Sequence, residues 1–105
     1  MSGQFFESYV FAEIAKSWLN SGKEPPLFYY RDKEKREIDL LLLHDGHLFP
    51  IEIKKTASPS LEDVKNFTAL DMAKNPSRGD GCLICMTEKL LTLDEHNLAV
   101  HVWAI

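Results

Sequence analysis

Residues 37–54 read EIDLLLLHDGHLFPIEIK, an Asp-Gly pair between two largely apolar runs. Asp-Gly in this setting is a strong hairpin signal, because a type I′ turn needs positive φ at both central residues. The stretch therefore predicts two antiparallel strands, Glu37–His44 and His47–Lys54, joined by a tight turn at Asp45-Gly46.

The predicted turn fixes which residues face each other across the hairpin. In a two-residue hairpin His44 pairs with His47, and this register places Asp39 opposite Glu52 in a non-hydrogen-bonded pair. Side chains approach closely in such pairs, with Cβ atoms about 4.5–5.5 Å apart. Strand alternation puts Lys54 on the same face as Glu52.

Two carboxylates in directly opposed positions repel each other and destabilise a strand pair. A divalent cation between Asp39 and Glu52 would account for the arrangement, and oxygen ligands of this kind suit Mg²⁺ or Mn²⁺. Lys54, beside the pair, could hold a water nucleophile or stabilise negative charge on a phosphoryl group. The alternative is that Glu52-Ile53-Lys54 is simply the solvated face of an amphipathic strand.

The other face of the predicted hairpin is entirely apolar, which assigns that face to the core and pins the register. It consists of Ile38, Leu40 and Leu42 on one strand and Phe49, Ile51 and Ile53 on the other. Pro50 falls opposite Leu41, so its missing N–H faces away from the partner strand. Either that outer side is locally unpaired, or a bulge intervenes near Pro50.

A helix is predicted ahead of the hairpin, from about Gly3 to Asn20, and it stops before Pro25-Pro26. Its apolar stripe consists of Val10, Phe11, Ile14 and Trp18. At about 100° per residue, Glu7 falls in the middle of this stripe, between Val10 and Phe11. Burial of a carboxylate is costly unless it is paired, so Glu7 is a candidate functional residue.

The remaining segments complete a chain order of α-β-β-β-α-β-β. A short aromatic strand covers Leu27–Arg31, and a second helix begins at the N-cap Ser60 and runs to about Lys74. Two further strands are predicted, at Cys82–Met86 and Ala99–Ile105. The core face of the second helix is predicted to hold Leu61, Val64, Phe67 (or Thr68) and Met72. This order predicts one α/β domain over residues 1–105, with a mixed sheet flanked by helices.

Composition bounds the classes of function. The 105 residues carry 12 basic and 16 acidic side chains, a net charge of −4. This argues against broad, sequence-independent coating of nucleic acid, which depends on phosphate neutralisation, but not against a local basic cleft. No apolar run approaches the roughly 18 residues of a membrane span, and no signal peptide is visible, so we expect a cytoplasmic location and no membrane partner.

Several other chemistry-bearing residues have ordinary structural interpretations. Cys82 and Cys85 have C-x-x-C spacing, but residues three apart on a strand point to opposite faces, so buried thiols are favoured over a metal or redox site. His44 and His47 flank the turn at the end far from Asp39, where surface positions are favoured over chelation. Lys65 and Asn66 are expected on a solvated helix face, and Trp18 and Trp103 in the core. The sequence indicates no partner residue for His96 or His101.

Asp39 followed by Glu52-Ile53-Lys54 resembles the D-x(n)-(D/E)-x-K core of the PD-(D/E)xK nuclease superfamily. Glu7 matches the carboxylate that many members carry on the first helix, and the αβββαβ order is similar to the restriction-endonuclease-like core. A closer resemblance is to an uncharacterised domain found behind the ATPase module of bacterial and archaeal AAA-type proteins. It is carried by Phe6-Glu7, Tyr29-Tyr30-Arg31-Asp32, Glu37-Ile38-Asp39-Leu40 and Pro50-Ile51-Glu52-Ile53-Lys54.

The resemblance implies specific roles. Asp39, Glu52 and the backbone carbonyl of Ile53 would bind the metal, Lys54 would be the catalytic lysine, and Glu7 would orient water or support a second ion. Arg31 and Arg36 could contact phosphates, with a charged hairpin end as the alternative. The chain would then be the C-terminal piece of a larger ATPase, with ATP bound only by the absent module, since no G-x-x-x-x-G-K-[ST] occurs here.

Two functions follow as expectations. The first is a metal-dependent phosphodiesterase acting on DNA or RNA. The second is a non-catalytic interaction or regulatory module of the ATPase that keeps the nuclease fold. The acidic balance favours the module, and the Asp39, Glu52 and Lys54 set favours the enzyme. The sequence predicts neither the substrate nor the oligomeric state.

Overall fold

The computed structural model describes residues 3–22 and 27–102. Its elements follow the predicted order, with two additional two-residue strands. They are α1 (Gly3–Asn20), β1 (Leu27–Arg31), β2 (Glu37–His44), β3 (His47–Ile53), a 3₁₀ helix (Leu61–Leu70), β4 (Ser77–Arg78), β5 (Gly81–Cys85), β6 (Leu91–Thr92) and β7 (Asn97–His101). The last strand starts and ends earlier than the predicted Ala99–Ile105, and Trp103 lies outside the described residues.

The strands form one mixed sheet in the order β1-β2-β3-β5-β7-β6, with β4 pairing to β3. The β1-β2-β3 portion and the β6-β7 pair are antiparallel, whereas β3, β5 and β7 run parallel. The 3₁₀ helix is part of the connection between the parallel strands β3 and β5. The predicted α/β class with a mixed sheet flanked by helices is confirmed. Within the described residues, no helix is long and apolar enough to cross a membrane.

The tight turn and the register next to it are confirmed. Asp45 and Gly46 have φ of 49° and 78°, as a type I′ turn requires. The β2-β3 pairing runs in the predicted register from His44 with His47 to Leu40 with Ile51. On its outer side β3 pairs with β4 at His47 and Leu48 and with β5 from Ile51 onward, so Pro50 falls in the gap between them. The local absence of pairing, rather than a bulge at Pro50, accommodates this proline.

A bulge is present instead on β2. Phe28 pairs with Leu41 and Tyr30 pairs with Ile38, so Tyr29 alone faces two residues of β2, Asp39 and Leu40. The extra residue reverses the alternation of side chains beyond it. As a result Ile38 and Leu41 pack in the same core cluster, while Leu40 packs in the other. The prediction that Ile38 shares a face with Leu40 is therefore wrong.

Both faces of the sheet are covered, each by one helix. On the α1 side the buried residues are Phe6, Val10, Leu40, Ile53, Ile84 and Val102. On the side of the 3₁₀ helix they are Ile38, Leu41, Val64, Phe67, Leu70, Leu83, Cys85 and Ala99. Two covered faces explain why the adjacent residues Leu40 and Leu41 of β2 are both buried.

The second helix begins where it is predicted to begin but differs in form and length. Ser60 is the N-cap of a capping box with Asp63, and the helix is of 3₁₀ type, with a kink at Val64. It ends at Leu70, short of the predicted Lys74. The predicted core positions Leu61 and Met72 are exposed, Met72 by 85%.

Candidate metal centre

Asp39 and Glu52 meet where the β2-β3 ladder ends. The backbone N–H of Asp39 donates to Oε1 of Glu52 at 3.1 Å, and the backbone N–H of Ile53 donates to Oδ2 of Asp39 at 2.9 Å. The two carboxylates thus take the place of the missing ladder partners beyond Leu40 and Ile51. The second oxygen of each carboxylate is the one that could face a cation.

The bulge changes how the two acids converge. Asp39 lies beside Leu40 on the wall of a cleft next to α1, whereas Glu52 follows the alternation of β3 toward the 3₁₀ helix, next to Leu83 of β5. The two carboxylates meet just beyond the last β2-β3 pair, Leu40 with Ile51, rather than side by side on one face of the sheet. The predicted proximity of Asp39 and Glu52 is confirmed, and their placement on a common face is wrong.

Glu7 lies at the same cleft, which has a volume of about 290 Å³ and is lined by Glu7, Ser8, Phe11, Asp39, Leu40 and Ile53. The helix buries Phe6 and Val10 instead of the predicted stripe centred on Glu7. Glu7 is therefore exposed at the rim, and Phe11 is 48% exposed. The prediction that Glu7 and Phe11 are buried is wrong. As docked on the sheet, α1 is turned by about one residue from the predicted orientation, so that Phe6 and Val10 face the core.

The pKa values of two of the acids, Glu7 and Glu52, are raised. Burial, followed by the negative charge of Asp39, raises the pKa of Glu52 to about 8, and the charge of Glu7 contributes in the same direction. Burial and then Asp39 also raise the pKa of Glu7. Neighbouring carboxylates titrate as a coupled set and cannot all ionise at low cost without a cation. In the described ranges, no three His, Cys, Asp or Glu side chains are grouped so as to hold a metal. A bound ion would thus need backbone or water oxygens in addition, and the ligand role of the Ile53 carbonyl stays a prediction.

Lys54 lies one residue beyond β3, and its side chain binds Asp63 in the first turn of the 3₁₀ helix. Its Nζ is 2.7 Å from Oδ1 of Asp63, whose side chain is 8% exposed. The hydrogen bond and charge of Asp63 raise the pKa of Lys54, and the charge of Glu52 adds to this. Burial opposes ionisation of Asp63, but hydrogen bonds from Lys54 and Ser60 outweigh it and lower its pKa. The N-cap at Ser60 was predicted from the sequence and is confirmed, whereas the contact of Asp63 with Lys54 depends on how the 3₁₀ helix docks.

The two arginines that could contact phosphate are both paired with acids. Arg36 bonds Asp32 at 2.8 Å, and Asp32 also accepts the backbone N–H groups of Glu34 and Arg36, which closes the β1-β2 turn. Arg31 lies 3.6 Å from Glu37 in an exposed pair. The charged-hairpin alternative therefore describes Arg36 well, and Arg31 is held by a contact that is weak in water.

Most of the residues that were expected to have only structural roles occupy the predicted kind of position. Cys82 and Cys85 are free and lie on opposite faces of the sheet, and burial raises the pKa of Cys82 to about 11. His44 and His47 are exposed beside the turn. Lys65 pairs with Glu62 at 2.8 Å, and Asn66 donates to the carbonyl of Glu37 at 3.0 Å. Trp18 is half-buried, with its ring 6.4 Å from that of His44.

The architecture and this cluster define a class: a mixed α/β domain with an acidic cleft at the open end of its central hairpin. Within that class, the chain belongs to the family described as domain of unknown function DUF4143, whose model matches residues 2–105. A comparison with curated proteins finds no match. The sequence predicted an uncharacterised domain, and this family is one. The relation of the domain to nucleases stays a prediction.

Proposed function

We propose that this domain is a metal-dependent nuclease-like domain of the restriction-endonuclease type, which hydrolyses phosphodiester bonds of DNA or RNA. It would work in the cytoplasm as part of a chain that also carries an AAA-type ATPase module. The observation that carries the proposal is the convergence of Asp39 and Glu52 where the hairpin opens, with each carboxylate oriented by a backbone contact.

The donor set fits a hard divalent cation. Carboxylate oxygens are the ligands that Mg²⁺ and Mn²⁺ prefer, and water commonly completes their coordination. Burial and then the negative charge of Asp39 raise the pKa of Glu52, and a cation at the site would offset both effects. Asp39 and Glu52 would hold the ion, with the carbonyl of Ile53 as a third ligand. When bound, such an ion polarises a phosphoryl oxygen and lowers the pKa of coordinated water.

The chain's own residues would supply the rest of the chemistry. Glu7, at the rim of the cleft that Asp39 lines, can accept a hydrogen bond from water and orient it. The ammonium group of Lys54 can stabilise negative charge that develops on the phosphoryl group.

The cleavage test uses plasmid DNA, single-stranded DNA and RNA, each with Mg²⁺, Mn²⁺ or EDTA. We expect cutting by the wild-type protein only with metal, and its loss in Asp39→Asn and Lys54→Met. Glu62→Gln is the matched control, because it removes an exposed acid that pairs with Lys65 away from the cleft. Circular dichroism checks that each variant is folded. Cutting that survives Asp39→Asn would refute the assignment.

One observation favours the second candidate, a non-catalytic module of the ATPase. Arg31, Arg36 and Lys54, the basic residues expected to act on phosphate, each pair with a carboxylate, and the chain carries a net charge of −4. This candidate predicts no cutting with any metal. It also predicts binding of the domain to its own ATPase module, measured by titration calorimetry with the separately produced module.

A further inference from the structure

Both ends of Lys54 are held. Its backbone N–H donates to the carbonyl of Ile84 at 3.0 Å, and its own carbonyl accepts the N–H of Thr56 at 2.9 Å. Its Nζ reaches Oδ1 of Asp63 at 2.7 Å. A lysine side chain in water samples many rotamers, and ordering it costs conformational entropy. A single fixed contact at its tip therefore needs a well-placed partner.

Asp63 is such a partner because its own position is fixed independently of Lys54. Its Oδ2 accepts the backbone N–H of Ser60 at 3.0 Å and lies 3.5 Å from the Ser60 hydroxyl. The capping box thus occupies one oxygen and leaves Oδ1 for the lysine. The side chain of Asp63 is 8% exposed, whereas that of Lys54 is 57% exposed. Asp63 is therefore the buried partner of this ion pair, and Lys54 is the exposed one.

We propose that Asp63 is a positioning residue that holds the ammonium group of Lys54 on the face of the hairpin that Glu52 shares. The inference rests on the proposed function, because positioning has a purpose only if Lys54 serves a reaction there. The 3₁₀ helix would then be part of the site, because its first turn carries Asp63. The capping box with Ser60 orients the Asp63 carboxylate.

The experiment measures the mobility of the Lys54 side chain and the rate of cleavage in the same variants. ¹³C relaxation at Cε of labelled lysines reports the ordering of each side chain without any substrate. In the wild-type protein we expect Lys54 to be more ordered than other exposed lysines. In Asp63→Ala the order is expected to fall to the level of those lysines. Turnover under saturating substrate is expected to fall on the order of 10²-fold with little change in KM, as for other misplaced catalytic groups.

Two controls separate positioning from helix stability. Ser60→Ala removes the capping hydroxyl but leaves the carboxylate for Lys54, so Lys54 should stay ordered and active. Glu62→Gln removes an ion pair of the same kind from the same helix turn. Asp63→Glu keeps a carboxylate and should restore part of the turnover that Asp63→Ala loses.

Each outcome decides the matter. If relaxation shows the Lys54 side chain to be equally mobile in the wild type and in Asp63→Ala, the inference is overturned, whatever the cleavage rates. Loss of order without loss of turnover also overturns it, because Lys54 then needs no positioning. If the wild-type protein cuts nothing although Lys54 loses order in Asp63→Ala, the proposed function fails, and the Asp63 contact is only structural. Loss of both order and turnover in Asp63→Ala, with neither lost in the controls, supports the inference.

Discussion

Glu52→Gln should make the protein less sensitive to alkaline pH when no metal is present. Glutamine has the shape of the protonated acid, so it can still accept the backbone N–H of Asp39, and it cannot ionise. In the wild type the pKa of Glu52 is about 8 in the folded protein, against a reference value of 4.5. The folded state therefore holds this proton more tightly than the unfolded chain does.

The sign and the size follow from proton linkage. A carboxyl whose pKa is raised by folding contributes its full stability below pH 4.5 and loses it as the pH rises through about 8. The whole difference corresponds to about 5 kcal/mol, of which a little under 3 kcal/mol falls between about pH 6 and 9. Because Glu52 is only partly buried, screening by water should roughly halve this value. We expect the wild-type free energy of unfolding to fall by about 1.5 kcal/mol more than that of Glu52→Gln over this range.

The assay is urea unfolding in EDTA at several pH values from 6 to 9, for the wild type, Glu52→Gln and the control Glu62→Gln. Other ionisable groups are the same in all three proteins, so their effect on the free energy of unfolding cancels in the comparison. The two Gln variants should diverge, since Glu62 belongs to an exposed ion pair. Parallel stability curves for the wild type and Glu52→Gln would refute the account of a repulsive carboxylate pair.

Three further predictions concern the scaffold that holds the site, and all are measured by urea unfolding at pH 7. Gly81→Ala should cost about 1–3 kcal/mol, because a Cβ there would collide with the ring of Phe67 and the amide of Asn97. Phe67→Ala should cost about 3–5 kcal/mol, because it empties the centre of the core under the 3₁₀ helix; a cost below 1 kcal/mol would contradict that packing. Asn97→Ala should cost about 2 kcal/mol, because it removes one of the two acceptors, Asn97 and Asp71, of the largely buried Arg78 guanidinium; an Asn97→Ala variant as stable as the wild type would show that water replaces the contact.

The central hairpin could be predicted because local chemistry determines it. Asp45-Gly46 specifies the turn, the turn specifies the register, and the register brings Asp39 near Glu52. The N-cap at Ser60 could be predicted for the same reason, since its capping box lies within four residues. These features need no knowledge of what packs against them.

The bulge at Asp39 and Leu40 could not be predicted in the same way. A continuous leucine run such as Leu40 to Leu43 suits either face of a sheet, so the pattern does not reveal where the alternation reverses. The reversal is favoured because both faces of β2 are covered, which becomes evident only when α1 and the 3₁₀ helix have docked.

The surroundings of the acid pair depend on docking in a similar manner. Glu7 and Phe11 were expected to be buried, because a helical stripe defines a face but not its exact rotation against the sheet. The contact between Lys54 and Asp63 joins residues nine apart that belong to different elements. No local pattern indicates such a pair.

Binding of Mn²⁺ to the purified domain, followed by electron paramagnetic resonance at pH 7.5, tests the cation site most directly. We predict one bound ion per chain in the wild type and in Glu62→Gln, with affinity rising as the pH increases and Glu52 loses its proton. Asp39→Asn should abolish this binding without unfolding the protein. Wild-type protein that binds no Mn²⁺, or Asp39→Asn that binds it equally well, would contradict the claim that the open end of the hairpin holds a metal ion.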